Sequence, residues 1–412
     1  MDVFSLILGI AGAIGGVFGV GQFWQNRASK RSAEMQLEAT QSAQMFRKAR
    51  EYRRSKIEEL REFMITDGLK PVPLEQDSSL PGYFLRGAPL GAPIHLDKIE
   101  LRRQGGSNGF YELDRASLPK IDGVAAETFS EAIETLDKPE SFYDGHQYRL
   151  LEASQSTLTY SSTVSSYFKK IDYGDHLYHE AAIQKLSGAK KYSGRNRSAI
   201  LSIFSSPANY VVLSGVNTLT LIKDGEDLSF LMHHRGSRAT AYNMHSYHVI
   251  PAGEFQPSST SPESFDADFS IWNNMMREYS EEVANNPEHD GTSPTPFDYS
   301  VGVCGQLNKM KEKGELAPFY FGVLIDPYTF QAEVLTACVF TRAAFYEIFP
   351  SVLERNREGS ILNRSRTEWG RPFDKVNIDL FLNPAEGSTV LQTRVLLELA
   401  IQFRKDLQNS VP

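Results

Sequence analysis

Cysteine is nearly absent from this chain. Cys304 and Cys338 are the only two in 412 residues. That excludes a disulfide framework and a cysteine-rich zinc site, and it fits a reducing, cytosolic setting for the folded part. Excess positive charge is also absent: 43 Lys and Arg against 51 Asp and Glu leave a net charge of −8. A globally basic nucleic-acid binder is therefore not expected. There is no G-x-x-x-x-G-K-[ST] phosphate loop, no internal repeat and no long low-complexity tract. What remains is ordinary globular material, 41% hydrophobic and 11% aromatic, enough for a sizeable core. The length suggests about two to three domains.

Val3 to Gly21 carries no charge. As a helix it would be roughly 28 Å long, close to the thickness of a bilayer core. Phe23 and Trp24 follow where an interfacial aromatic belt would sit, and Arg27, Lys30 and Arg31 come next. The pattern predicts a membrane anchor over residues 3–24, with the bulk of the chain on the cytoplasmic side. Only Met1 and Asp2 precede the run and no small-residue cleavage site follows it, unlike a secretory signal peptide. Gly12/Gly16 and Gly15/Gly19 have the small-xxx-small spacing that lets helices approach in lipid, so self-association through this glycine-rich helix is a candidate.

Ser29 to Met64 is polar and proline-free and reads as a long helix, a stalk after the anchor. Ten Lys/Arg and six Glu between Arg27 and Phe63 make it net basic, and Met35, Phe46, Ala49, Ile57 and Leu60 form only a weak apolar stripe. A solvated connecting helix, a coiled coil and contact with anionic headgroups all remain open. Asp67 to Pro93 is broken by five prolines and four glycines and reads as linker or irregular packing. The expected organisation is an anchor (1–26), a helical stalk (27–66), a linker or irregular region (67–140) and one folded domain (141–412).

Within the last part, Tyr148–Glu152 reads as a strand, and Ser156–Lys170 and Leu177–Leu186 as helices. Tyr210–Lys223, Leu228–His234 and Tyr247–Ile250 read as strands, with a turn at Asp224-Gly225. Phe319–Ile325 and Val334–Phe340 look like a strand pair, and Thr389–Lys405 like a closing helix. Strands mixed with separated helices predict an α+β or three-layer α/β/α domain.

One passage concentrates chemistry: His248-Val-Ile-Pro-Ala-Gly-Glu254, a polar loop, then Asp268 to Val283. Phe269, Trp272, Met276, Tyr279 and Val283 recur at steps of three and four, so a helix with one buried stripe is expected. Glu278, Glu281 and Glu282 then share another face. Three carboxylates held together repel one another, and a hard divalent cation, Mg²⁺ or Mn²⁺, would neutralise them. Arg277 can reach Glu281 one turn on.

Arg277-Glu278-Tyr279-Ser280-Glu281-Glu282 resembles the R-E-x-x-E-E core of the Nudix box, and Pro251-Ala252-Gly253 resembles the glycine turn that opens it. The resemblance implies an α/β/α sandwich with a mixed sheet, and Mg²⁺- or Mn²⁺-dependent hydrolysis of a nucleoside-diphosphate-type bond. On it, Glu278, Glu281 and Glu282 would be metal ligands, Glu282 and Arg277 catalytic, and Gly253, Glu254, Arg235 and Arg238 substrate-binding. The pattern departs from the family's. The first glutamate is missing, with Phe269 in its register; Gln256–Ala267 looks like an insertion; Ala284 replaces the glycine after the paired glutamates. The run Ser246–Glu282 is also similar to the C-terminal Nudix-like domain of some actinobacterial helix-turn-helix regulators. That likeness implies the alternative, a catalytically silent sensor of a nucleotide-like ligand in a regulatory, signalling or defence protein.

Other candidates are weaker. His245 and His248 differ by three, which puts them on opposite faces of a strand, so a histidine metal site is not expected. His233-His234-Arg235 ends a strand and could meet phosphate or simply water. Lys190, Lys191, Arg195 and Arg197 read as a solvated basic loop, and Cys338 as core.

Overall fold

The computed structural model describes residues 3–65, 72–73, 81–82, 90–105, 114–115, 118–121, 124–139, 142–193, 196, 208, 212–235, 246–325, 330–384 and 388–412. Side chains are described from Arg27 onward, apart from a few positions. Among the described residues no helix is long and apolar enough to cross a membrane. The expected anchor at 3–24, and self-association through its glycines, lie outside the described side chains.

Helix α1 runs from Val3 to Ser55 and α2 from Ile57 to Ile65. Met35 and Leu37 are exposed, whereas Phe46, Ala49, Arg50 and Arg53 are buried. The weak stripe seen in the sequence is thus a docking face that begins in the last turns of α1 and continues at Leu60 of α2. It packs on α3 (Phe129–Leu136), whose start Thr128 caps by accepting the Glu131 N–H, and on a longer helical stretch. That stretch consists of α4 (Tyr167–Lys170), a π-helical turn (Ile171–Asp175) and α5 (His176–Leu186) without interruption. Phe46 meets the rings of Phe129 and His179 at 5.6 and 4.7 Å. Arg53 Nη2 lies 2.6 Å from Asp175 Oδ1, both side chains almost fully buried, and Arg50 Nε lies 2.5 Å from Asp137.

The strands that organise the body are β1 (Ile94–His95), β2 (Glu100–Gln104), β3 (Leu150–Ala153), β4 (Thr157–Ser161), β5 (Ser214–Asp224), β6 (Asp227–Phe230) and β7 (Met232–Arg235). Then come β8 (Ser246–Val249), β9 (Ala252–Glu254), β10 (Leu316–Ile325), β11 (Ala332–Thr341), β12 (Gly359–Ile361), β13 (Arg371–Pro372) and β14 (Ser388–Thr389). The main sheet has the order β13-β6-β5-β11-β10-β1, with β9 pairing β5. It is mixed, because β5 and β11 run parallel and the other pairs antiparallel. A second sheet has the order β12-β7-β8-β14 and a third β2-β4-β3.

Residues of β5 alternate between two cores, Val216 and Ile222 in one and Leu219 and Leu221 in the other. On the first face lie α6 (Ile271–Glu278), α7 (Gly302–Glu312) and α8 (Arg342–Ile348) through Ile271, Met275, Leu307, Met310 and Phe345. On the second lies α9 (Leu391–Gln402) through Val395, Leu396 and Leu399. The arrangement is a mixed α/β body with helices on both faces of the sheet. Both cysteines are free and buried.

Two expected elements differ. Ser156–Lys170 is not one helix: β4 occupies Thr157–Ser161 and helix begins only at Tyr167. Thr157, Thr159 and Tyr160 are strand formers, and pairing with β2 and β3 decides their state. Leu228–His234 is two strands, not one. The chain leaves the main sheet at Leu231, whose N–H donates to the Thr220 carbonyl, and enters the second sheet as β7. A continuous apolar run carries no mark of such a transfer.

Candidate functional site

The acidic helix end is built as the apolar stripe dictates. Ser270 caps α6 by accepting the Asn273 N–H, and Met276, Tyr279 and Val283 are buried against the sheet. After Glu278 the helix widens into a π turn, Tyr279–Val283. The wider turn changes the angular spacing on which a common face for the three glutamates was predicted. Asp268 ties down the loop before the helix: it accepts from the Ser258 N–H and hydroxyl and from the Tyr299 hydroxyl. The inserted Gln256–Ala267 segment is therefore packed, not a free excursion.

Arg277 is 1% exposed and reaches back to the strand end. Its Nη1 donates to the Gln256 carbonyl at 3.0 Å, its Nη2 to the Glu254 carbonyl at 3.4 Å, and Nη2 stands 3.5 Å from Glu278 Oε1. Burial opposes its charge, but Tyr299, Glu278, Glu281 and Asp268 outweigh burial and hold the guanidinium above its ordinary pKa. Glu278 lies against Gly253, where any Cβ would run into its carboxyl group. Glu281 accepts from the His289 N–H at 2.9 Å and stands 3.2 Å from its Nδ1. Glu282 Oε2 accepts from the Ala252 N–H at 3.0 Å.

Gly253, Glu254, Arg277, Glu278 and Glu282 are thus neighbours in the fold. Arg235 Nη2 stands 3.1 Å from Glu358 and feels the charge of Glu282. Arg238 lies outside the described residues. The three carboxylates are near enough to feel one another's charge but do not converge on one point: Glu278 packs on Gly253, Glu281 turns to His289 and Glu282 to the Ala252 amide. Among the described residues no group of three His, Cys, Asp or Glu side chains is placed to hold a metal ion. The expected Mg²⁺ or Mn²⁺ does not fit these positions, for which the π turn and the separate partners are the physical reason. The donor chemistry is right, the convergence is missing, and no reaction step follows through a metal.

The electrostatics carry the consequence. Burial and then neighbouring carboxylates, Glu281 for Glu278 and Glu358 for Glu282, push both pKa values well above the ordinary range. Burial also raises Glu281 to about 7, against the pull of Arg277 and the His289 amide.

Beside the helix end is a hollow of about 210 Å³ lined by Tyr143, Gln147, Tyr167, Glu254, Gln256 and Glu288, with Gly145 at its wall. Sequence reading singled out only Glu254 of these. Residues from β9, the start of α4 and the loop after the π turn converge there through tertiary packing, and no local motif marks them. Lys170, one turn after Tyr167, joins the two parts: its Nζ reaches Glu254 Oε1 at 3.2 Å and Gln331 Oε1 at 2.5 Å.

No family model matches this chain, and no curated protein matches it. Among solved structures, the chain is similar to the crystal structure of a NUDIX hydrolase from Alicyclobacillus acidocaldarius. Sequence identity is 14%, 45% of this chain and 90% of that chain are covered, and the TM-score is 0.25. A TM-score that low establishes neither a common fold nor a common chemistry. The functional reading therefore rests on the residues themselves.

Proposed function

We propose that this chain is a tethered, Nudix-like ligand-binding protein: a small molecule occupies the hollow beside the Arg277–Glu282 helix end and is sensed rather than hydrolysed. One observation carries the reading. The carboxylates that would do chemistry are each engaged elsewhere in the protein, while an open, polar, aromatic-walled hollow lies next to them. A nucleotide-like ligand is what the sequence resemblance implies, and it is one class to be screened at this hollow. The anchor expected over residues 3–24 would hold the protein at the cell membrane, and the stalk would carry the response. Support for that last step is the unbroken helical stretch from Tyr167, in the hollow, to His179, against α1.

The hydrolase reading has one observation in its favour: the buried, mutually repelling pair Glu278 and Glu282, which a divalent cation would relieve. Two measurements on the full chain separate the readings. Thermal-shift screening against nucleosides, nucleotides and small amines, with and without Mg²⁺ or Mn²⁺, should find stabilisation that Tyr167→Ala abolishes and that needs no metal. Metal-dependent release of product from a nucleoside diphosphate derivative, lost in Glu282→Gln, would replace sensing with hydrolysis.

A further inference from the structure

The lining of the hollow is one-sided. Among the described residues it offers two tyrosines, two carboxylic acids and two amides, and no cationic side chain. Lys170 stands close by, bound to Glu254 and Gln331, with its Nζ 5.6 Å from the centre of the Tyr167 ring, so the Tyr143 face is the one left to an entering group. The decisive group is Gln147. Its side chain is 2% exposed, its Nε2 donates to Gln256 Oε1 at 3.4 Å, and its Oε1 has no hydrogen-bond partner. A buried amide oxygen without a donor is costly, and an N–H or O–H brought to it by a group in the hollow would relieve that cost. Tyr143, half-exposed at the rim, is held by its hydroxyl on the Asp290 carbonyl at 2.9 Å. Tyr167 is fixed from the other side by its N–H on the Gly145 carbonyl at 2.8 Å. Aromatic faces and carboxylates attract cations, and both repel a phosphate that brings no metal with it.

We propose that the hollow binds a small organic cation rich in N–H donors, a guanidinium or a primary ammonium group. Gln147 Oε1 accepts its buried N–H, Tyr143 and Tyr167 flank it, and Glu288 supplies the counter-charge, Glu254 being held by Lys170 and Gln331. The proposal rests on the reading of the hollow as the ligand site and narrows the chemistry of what enters. Size agrees: about 210 Å³ is below the range of about 300–1,000 Å³ typical of drug-sized ligands, and suits a single such group. Charge agrees too. Glu288 is raised by burial and by Glu358 and Asp290, so an incoming cation relieves a crowd of carboxylates.

The test is calorimetric titration of the full chain with agmatine, which carries a guanidinium and an ammonium group, beside the uncharged N-butylurea and the anion AMP. Agmatine should bind, N-butylurea should bind at least tenfold more weakly, and AMP should not bind without metal. Gln147→Leu should weaken agmatine at least tenfold, while Gln147→Glu, which keeps an acceptor and the shape, should retain it and control for folding. Glu288→Gln, at an exposed position, should weaken it several-fold and flatten its salt dependence. Agmatine affinity unchanged in Gln147→Leu, or AMP binding more tightly than agmatine, overturns the cation assignment. If AMP binds and Tyr167→Ala abolishes it, the hollow stands as a ligand site and only the cation assignment falls. If none of the three probes binds, the cation assignment also falls, and the ligand-site reading is then judged on the wider screen.

Discussion

Replacing Arg53 by methionine should release the end of α1 from the body, and more so than removing both charges of its pair. Arg53 and Asp175 meet at 2.6 Å with 4% and 5% of their side chains exposed. Removing the cation alone takes the buried ion-pair partner from that carboxylate, at a cost of about 3–5 kcal/mol. Replacing both partners by uncharged groups of similar size leaves no such charge, and buried pairs exchanged in this way often cost little. The lost energy belongs to the contact of α1 with the π turn, so it should appear as local opening. At about 1.4 kcal/mol per decade, amide exchange in the segment around Phe46 to Arg53 should speed up by about two to three and a half decades in Arg53→Met. Arg53→Met/Asp175→Asn should recover most of that loss. Hydrogen exchange on the full chain reads both. Single variants that shift exchange by less than about one decade, or effects that simply add, would refute the claim that this buried pair fastens the helix.

Other outcomes follow from the same coordinates. His176, stacked on Phe129 at 5.8 Å, has its pKa pushed down to about 4 by burial, from 6.5. The unfolded chain therefore binds the extra proton between those values. The stability this group contributes is complete above about pH 6.5 and is lost as pH falls toward 4, by about 3 kcal/mol. Denaturant titrations across that window should show a shallower slope for His176→Phe, and an unchanged slope would sink the assignment. Gly253→Ala drives a methyl group into the Glu278 carboxyl. It should cost about 1–3 kcal/mol, and Glu278→Ala in the same chain should relieve it, as read from denaturation midpoints. Deleting Met1–Asn26 should move the protein from the membrane pellet to the supernatant, and continued pelleting would end the anchor proposal.

Periodicity and turn chemistry made much of the body legible in the sequence. The Asp224-Gly225 turn closes the hairpin where the dipeptide predicts, with Gly225 at a φ of 61°. The Phe319–Ile325 and Val334–Phe340 pair forms antiparallel β10 and β11. The stripe from Phe269 to Val283 is buried or partly buried along its length. The misses have a common cause. Thr157–Ser161 became a strand because partners distant in sequence were available. Glu281 and Glu282 took separate partners at a π turn, a change of pitch that residue identity does not encode. Tyr143, Gln147 and Glu288 come from unrelated segments, and only folding makes them neighbours. Residue patterns disclose local geometry and burial, whereas a hollow is a property of the assembled chain.

The π turn at Ile171–Asp175 has a wider meaning. It sets the angle between the two ends of one rod, Tyr167 and Lys170 at the hollow and Asp175 and His179 under α1. A wide turn holds one residue more than the α-helix needs, and each residue of an α-helix accounts for about 100° of rotation. Tightening that turn would swing one end against the other by an angle of that order, with little change in length. The molecule thus carries, between a cavity and the end of α1, the geometry of a crank.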